Sequence, residues 1–235
     1  MVTTRGGGVS TGPHASLNLG AHCGDLPQAV SENRRRLAAL LPSTPLWMRQ
    51  VHGTTVLDAD EWIAREGAER AGGEPQADAV IATSPGIVCA VMAADCLPIL
   101  VASETRRAVV AIHAGWRGLA AGVIENALDR LGKSSPVLAF LGPAIGPLAY
   151  EVGDEVRDAF LRRAPDLAQA FSPARRGHWL LDLYAAARQR LQACGVPAGH
   201  IYGGNFCTHT ERARFFSYRR ESVTGRIAAL IWIER

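Results

Sequence analysis

Three residues of this 235-residue chain combine metal-competent chemistry with a shared kind of position: His52 in "QVHG", Cys96 in "AADCLP" and His113 in "AIHAGWRG". Each stands where an apolar run breaks beside small or glycine-rich residues. A strand end is where side chains from neighbouring strands converge on one cleft while the sheet fixes their positions. Two imidazoles and a thiolate form a nitrogen/sulfur set that suits zinc, and three protein ligands leave a fourth position for water or substrate, as catalytic zinc sites require. Copper competes on chemical grounds, because it binds the same ligand types at least as strongly. The same residues also support a metal-free chemistry, since an imidazole near Cys96 raises its thiolate fraction and His113 is available as a base. Their spacings match no short metal-binding pattern, so residue types alone leave these readings open. Asp95, adjacent to Cys96, is a candidate proton carrier or a group that orients a ligand.

The turn after His113 carries its own chemistry. Gly115 and Gly118 permit close backbone approach, the helix that follows directs its N-terminal dipole at the same space, and Arg117 adds a fork-shaped donor for an anion such as phosphate. Trp116 is a face for stacking a purine or for packing. Further arginines, Arg5, Arg214, Arg219, Arg220 and Arg226, lie in "TTRGGGVS" and "ARFFSYRRESVTGR", motifs otherwise rich in glycine, serine and aromatics.

The elements that must position these groups read as follows. "TTRGGGVSTGPHASLNLGAHCGD" reads as turns around short extended pieces. "LPQAVSENRRRLAALL" has helical spacing, with Ser31 as N-cap, Arg34 to Arg36 on a solvated face and an end at Pro42. "PLWMRQVHGTTVLDAD" alternates like a strand that carries His52 near a glycine turn, and Ala64 to Gln76 reads as a surface loop. The stretch from Ala77 to Gly118 supplies several short strands, apolar on both sides and separated at Pro85-Gly86, Asp95 to Pro98 and Glu104 to Arg107. "LAAGVIENALDRLG", "DEVRDAFLRRAP" and "LLDLYAAARQRLQACG" are helices. "PVLAFL" is a buried strand running into a Gly/Pro loop, and "HIYGGNFC", "ARFFSYRR" and "RIAALIWIE" are strands of the tail. Helices and strands interleave without strict alternation, which predicts a mixed sheet with helical layers rather than a purely parallel fold.

Composition bounds the rest. With 48% hydrophobic and 20% charged residues the chain is a folded globular protein, and its length fits one domain. The net charge of +3 comes from 25 Lys+Arg against 22 Asp+Glu, with Lys133 the single lysine, and predicts no nucleic-acid partner. Five cysteines, an odd count without a secretory signal, favour reduced thiols and a cytoplasmic setting. No apolar run reaches the roughly 20 residues needed to span a bilayer, so no membrane partner is expected.

Taken in order, "TTRGGGVSTGPHASLNLG", "RQVHG", "ADCLPIL", "HAGWRG", "GPAIGPLAYEVG", "FCTHTE" and "RFFSYRRESVTGR" resemble the YfiH-type purine nucleoside phosphorylases, long labelled laccase-domain or polyphenol oxidase proteins. The similarity runs over nearly the whole chain. It implies an α+β fold of mixed sheets layered with helices, an αββα-type sandwich, as a single domain over residues 1–235. It also implies a zinc site of His52, Cys96 and His113, with copper as the alternative. The implied activity is phosphorolysis of adenosine, inosine and methylthioadenosine together with adenosine deamination. In that activity His52, Cys96, His113 and Asp95 are the catalytic residues, while Arg5, Asn18, Arg117 and Arg219 bind purine nucleoside and phosphate. The protein would act as a monomer or small homo-oligomer. The older label implies copper-dependent phenol oxidation, which seven histidines and three methionines supply poorly. Some members are linked to editing of peptidoglycan precursors, and the fold resembles that of deamidating toxins with a Cys/His pair, which keeps a cysteine hydrolase as a further alternative. The chain departs from the family pattern at His14, where a tyrosine is common, at Ala187, where an asparagine often follows, and in beginning almost at its first motif, without the short leading strand of many members.

Overall fold

The computed structural model describes residues 1–65, 73–103, 105–132 and 136–234. Most of the loop read over Ala64 to Gln76 therefore lies outside the described residues, as do Glu104 of the third separator and Lys133. In chain order the strands are β1 (Val56–Asp58), β2 (Ala79–Ala82), β3 (Cys89–Ala93), β4 (Leu97–Ser103), β5 (Ala108–Ala114), β6 (Leu138–Leu141), β7 (Glu151–Gly153), β8 (Phe171–Pro173), β9 (His178–Leu181), β10 (Ile201–Gly203) and β11 (Ile227–Ile231). The helices are α1 (Pro27–Ala38), α2 (Ala59–Ala64), α3 (Trp116–Ala121), α4 (Val123–Leu131), α5 (Asp154–Arg163) and α6 (Leu183–Ala193).

A six-stranded sheet runs β1-β2-β5-β4-β6-β10, parallel at its two outer pairs and antiparallel between them, so it is mixed as expected. The central strands are buried on both faces because each face has its own cover. Ile81, Ile99, Val101, Val110 and Ile112 pack against Val123, Ile124 and Ala127 of α4 and Leu183, Ala186 and Leu191 of α6. On the other face Val80, Ala82, Leu100, Val109 and Ala111 meet Cys89, Val91 and Ala229 of the antiparallel β3–β11 pair. The far side of that pair, through Ala90, Met92, Ala228 and Leu230, is covered by Leu37 of α1 with Leu19 and Trp47. Helix, sheet, sheet, helix is the αββα order. No helix among the described residues is long and apolar enough to cross a membrane.

Several local readings need correction. Helix α1 starts at Pro27 rather than beyond Ser31, with proline at its first position, where its missing N–H costs nothing, while Asp25 accepts from the Leu26 amide at 2.8 Å. Arg35 and Arg36 are solvated and pair with Glu32, but Arg34 lies over the Trp47 ring at 4.4 Å and donates to Leu19 O. The helix after His113 begins at Trp116 and breaks at Gly122, whose φ of +99° ends α3 and starts α4. Strand β6 alternates exposed and buried residues instead of being buried throughout. "PLWMRQVHG" makes only isolated bridges at Leu46 and Arg49, and "ARFFSYRR" forms turns without a strand. The small β7-β9-β8 sheet was not legible, its strands being three or four residues long.

Candidate metal centre

Side chains alternate along a strand, so residues two apart share a face. On β5, Val109 and Ala111 face the β3–β11 pair, and His113 continues that phase at the strand's end. On β4, Leu100 shares the face, and Cys96, one residue before the strand, is in phase with it. Asp78, one residue before β2, is in phase with Val80 and Ala82. Register then brings the three together, because Pro98 pairs with His113 and Ala79 with Ile112.

His52 arrives from a loop rather than a strand. Gln50 hangs this segment on β3 by clasping Met92, accepting from its N–H at 2.7 Å and donating to its C=O at 2.8 Å. Beyond it, the Asp78 carboxylate accepts from the amides of Val51 (3.2 Å), His52 (2.9 Å) and Gly53 (2.7 Å), holding His52 in the left-handed region at φ +61°. A Cβ on Gly115 would stand 2.7 Å from His52 Cδ2 and 3.0 Å from Cys96 Sγ, and one on Gly118 would stand 2.8 Å from Gly53 O. These two glycines therefore make room for the His52 loop, a different task from exposing amides to an anion. Helix α3 is six residues long and contributes its bulk more than its dipole.

The ligand atoms of His52, Cys96 and His113 all lie within 4.8 Å of one another, with Cys96 Sγ 3.7 Å from His52 Nε2. A tetrahedral zinc with ordinary bond lengths holds its sulfur and nitrogen ligands about 3.6 Å apart, a spacing that Cys96 Sγ and His52 Nε2 already have. His113 Nδ1 donates to Asp78 Oδ1 at 2.9 Å, which leaves Nε2 for a metal. The charges agree with that fit. Burial opposes a thiolate at Cys96, but the charge and hydrogen bond of His113, then those of His52, outweigh it and bring the thiol down to about 6. Burial likewise opposes an imidazolium at His113, yet Cys96 and Asp78 raise it to about 9. Burial works against the Asp78 carboxylate too, and the His113 contact with the loop amides holds it below the usual carboxylate range. Without an ion these groups form a thiolate and imidazolium braced by a carboxylate; an ion would displace the His113 Nε2 proton and leave Nδ1–H on Asp78.

This cluster is the floor of a cleft of about 570 Å³. Its walls carry three arginines, each set against an aromatic ring: Arg117 over Trp116 at 4.4 Å, Arg219 over Tyr150 at 5.1 Å and Arg226 over Tyr218 at 6.0 Å. Among the described residues Arg117 makes no hydrogen bond, Arg219 Nη1 donates to Glu151 O, and Arg226 Nη1 donates to the carbonyls of Thr224 and Gly225. Burial, then the charge of Cys96, pushes the Tyr150 phenol upward, so it keeps its proton.

Asp95 also lines the cleft, but its carboxylate is engaged: Oδ1 accepts from the Thr208 hydroxyl and Oδ2 from the Arg219 amide, both at 2.6 Å. At φ +93° it ties the turn that bears Tyr218 and Arg219 to the strand end that bears Cys96. Of its two expected tasks the geometry favours orientation, and what it orients is the wall. Arg5 and Asn18 are not brought to the cleft. Arg5 donates to the carbonyls of Ala15 and Arg212 and covers Phe216, while fully buried Asn18 accepts from the amides of Gly20 and Arg226. Arg220 similarly serves the chain itself, donating to the carbonyls of Thr208, His209 and Phe215. His14 is buried with Nε2 on Cys23 O, and Ala187 is buried in α6. Sequence reasoning missed Asp78, Gln50, Tyr150 and Tyr218. Asp78 alone had a usable signal, a carboxylate placed directly before an unbroken apolar run in "QADAVIA".

A family model described as multi-copper polyphenol oxidoreductase laccase matches residues 1–234. The chain is 51% identical over 235 residues to a protein of Pseudomonas aeruginosa named purine nucleoside phosphorylase, covering 99% of this chain and 92% of that relative. It is 49% identical over 238 residues to the purine nucleoside phosphorylase YfiH of Escherichia coli, covering 98% and 92%. Among solved structures, a Neisseria meningitidis protein superposes with a TM-score of 0.89 at 46% identity, covering 100% of this chain and 93% of the other. YlmD from Geobacillus stearothermophilus superposes with a TM-score of 0.88 at 36% identity, covering 100% and 91%.

Proposed function

The chain belongs to the multi-copper polyphenol oxidoreductase laccase family, and within that family we propose that it is a zinc-dependent purine nucleoside phosphorylase. One observation carries the reading: a single cleft joins a floor of three metal-competent ligands to walls of paired cations and aromatic rings. Its substrates are adenosine, inosine and methylthioadenosine with inorganic phosphate, and adenosine deamination accompanies phosphorolysis. The five free cysteines suit a reducing cytoplasm.

In phosphorolysis a phosphate oxygen bonds to ribose C1′ as the bond from C1′ to the purine nitrogen breaks, giving ribose 1-phosphate and the free base. Arg117, Arg219 and Arg226 hold the anion; Arg117 brings a guanidinium with no hydrogen bond among the described residues, while Arg219 and Arg226 each spend Nη1 on backbone carbonyls. Trp116, Tyr150 and Tyr218 offer faces for the purine. Tyr150 holds its proton on Oη and can donate a hydrogen bond. An ion held by His52, Cys96 and His113 supplies Lewis acidity at the floor, which suits hydrolytic deamination at purine C6. Asp78 orients two of those ligands, and Asp95 keeps the Arg219 turn in place.

The names of the relatives favour this reading over phenol oxidation and over cysteine-dependent hydrolysis of cell-wall precursors. The description of the family still keeps copper in view as the ion. The test is metal-defined protein incubated with each nucleoside and phosphate, products followed by chromatography. Free base and ribose 1-phosphate are expected, with 5-methylthioribose 1-phosphate as the sugar product of methylthioadenosine and inosine from adenosine. If none of these forms and His113→Ala changes nothing, the nucleoside reading is wrong. Bound-metal analysis with an oxygen-consumption assay on phenols separates zinc from redox-active copper.

A further inference from the structure

We infer that Asp78 is the positioning residue of the metal centre, one carboxylate that fixes both histidine ligands at once. The inference rests on the metal reading of His52, Cys96 and His113, and it concerns what makes that cluster selective in geometry. Asp78 is completely buried, and four donors converge on its two oxygens. Oδ1 takes the His52 amide and the His113 Nδ1 proton, each at 2.9 Å; Oδ2 takes the Val51 and Gly53 amides. The backbone repeats the link, since the His113 amide donates to Asp78 O at 2.7 Å.

Two consequences follow. A carboxylate is acceptor only, so the bond to His113 Nδ1 requires the proton there and leaves Nε2 as the nitrogen that an ion would take. The three amide bonds close the turn that puts His52 into the left-handed region, so the second imidazole is aimed by the same group. Each role needs the acceptor on both oxygens. An asparagine keeps the shape but turns one oxygen into an N–H donor. Placed toward the loop, that donor opposes the amides of Val51 and Gly53. Placed toward His113, it selects the tautomer whose Nε2 carries the proton and cannot ligate.

The experiment is zinc affinity by competition with a chromophoric chelator for wild type, Asp78→Asn and, as control, Asp60→Asn. Asp60 likewise accepts from the amides of Thr83 and Ser84 but lies outside the cleft. Loss of a partner behind a ligating histidine weakens metal affinity about 10- to 100-fold. Asp78→Asn is therefore expected to bind zinc in that weakened range, with one ion per chain at saturation, while Asp60→Asn stays within about twofold, a purely structural loss. Equal affinity of wild type and Asp78→Asn overturns the inference and leaves the metal reading intact. A wild type that binds no zinc overturns both. If Asp78→Asn does not fold, NMR of the cadmium-loaded wild type decides instead: coupling of the ion to His113 Nε2, with a protected proton on Nδ1, supports the assignment, and coupling to Nδ1 overturns it.

Discussion

His52, Cys96 and His113 on the cleft floor are fixed by strand register and one buried carboxylate, whereas Arg117, Arg219 and Arg226 on the walls are held by ring faces and turns. The floor ligands are positioned by bonds that close rings through the backbone: a shift in β4 or β5 would break register along seven residue pairs. The wall cations hang on flexible side chains, and only the backbone of Arg219 is tied to the floor, through Asp95. A metal tolerates errors of tenths of an ångström, while an anion or a purine face accepts a range of approaches. Rigidity is concentrated where the chemistry demands it.

The sharpest break in this comparison is His113→Ala, which removes a ligand. It should abolish stoichiometric zinc binding and lower nucleoside turnover by roughly 1000-fold or more, measured by metal analysis and product chromatography. Next comes Gly115→Ala, whose new Cβ meets the His52 ring and Cys96 Sγ; zinc affinity should fall about 10-fold or more while far-UV circular dichroism is unchanged. Arg219→Ala probes the wall. Losing a charged hydrogen-bonding partner costs about 1.5 to 3 kcal/mol, so KM for phosphate should rise about 10- to 100-fold with zinc content unaltered. Equal loss of zinc in this variant would erase the distinction between floor and wall.

A pH experiment sharpens the floor further. In protein stripped of metal, Cys96 has its thiol brought down to about 6, far below its ordinary value, whereas burial raises that of Cys89. Because the folded value is the lower one, the stabilisation linked to the thiolate is present in full above the ordinary thiol range and is lost as pH falls through about 6. Alkylation of Cys96 should therefore proceed rapidly at neutral pH, slow as pH drops through about 6, and be blocked by zinc. The smallest effect is expected at Asp95→Asn. It should lower Tm by a few degrees, about 2–4 °C per kcal/mol lost, and raise KM for phosphate less than Arg219→Ala does.

Much of this was legible in residue order. The apolar stretch from Ala79 to Ala114 gave strands close to those observed because its strands are Val- and Ile-rich and its separators are turn formers. His113 and Cys96 were legible because each lies at one end of such a strand, Cys96 directly before β4 and His113 next to the last residue of β5. The alternation around His52 suggests a strand, whereas its turn is held by a carboxylate 26 residues away, beyond the reach of any local pattern. The turns of "ARFFSYRR" looked like a strand because aromatics favour strands; their backbone follows Arg220 and Asp95 instead, through contacts that no local pattern encodes.

By itself, the order of residues determined which groups could ligate a metal and which segments would be sheet, because donor chemistry and side-chain periodicity are local properties. Tertiary structure decided that the Asp78 carboxylate serves two histidines, that Gly115 and Gly118 make space for a loop, and that each wall arginine lies against a ring. Those depend on strand register and on distances across the gap between two sheets, and neither exists until the chain has folded.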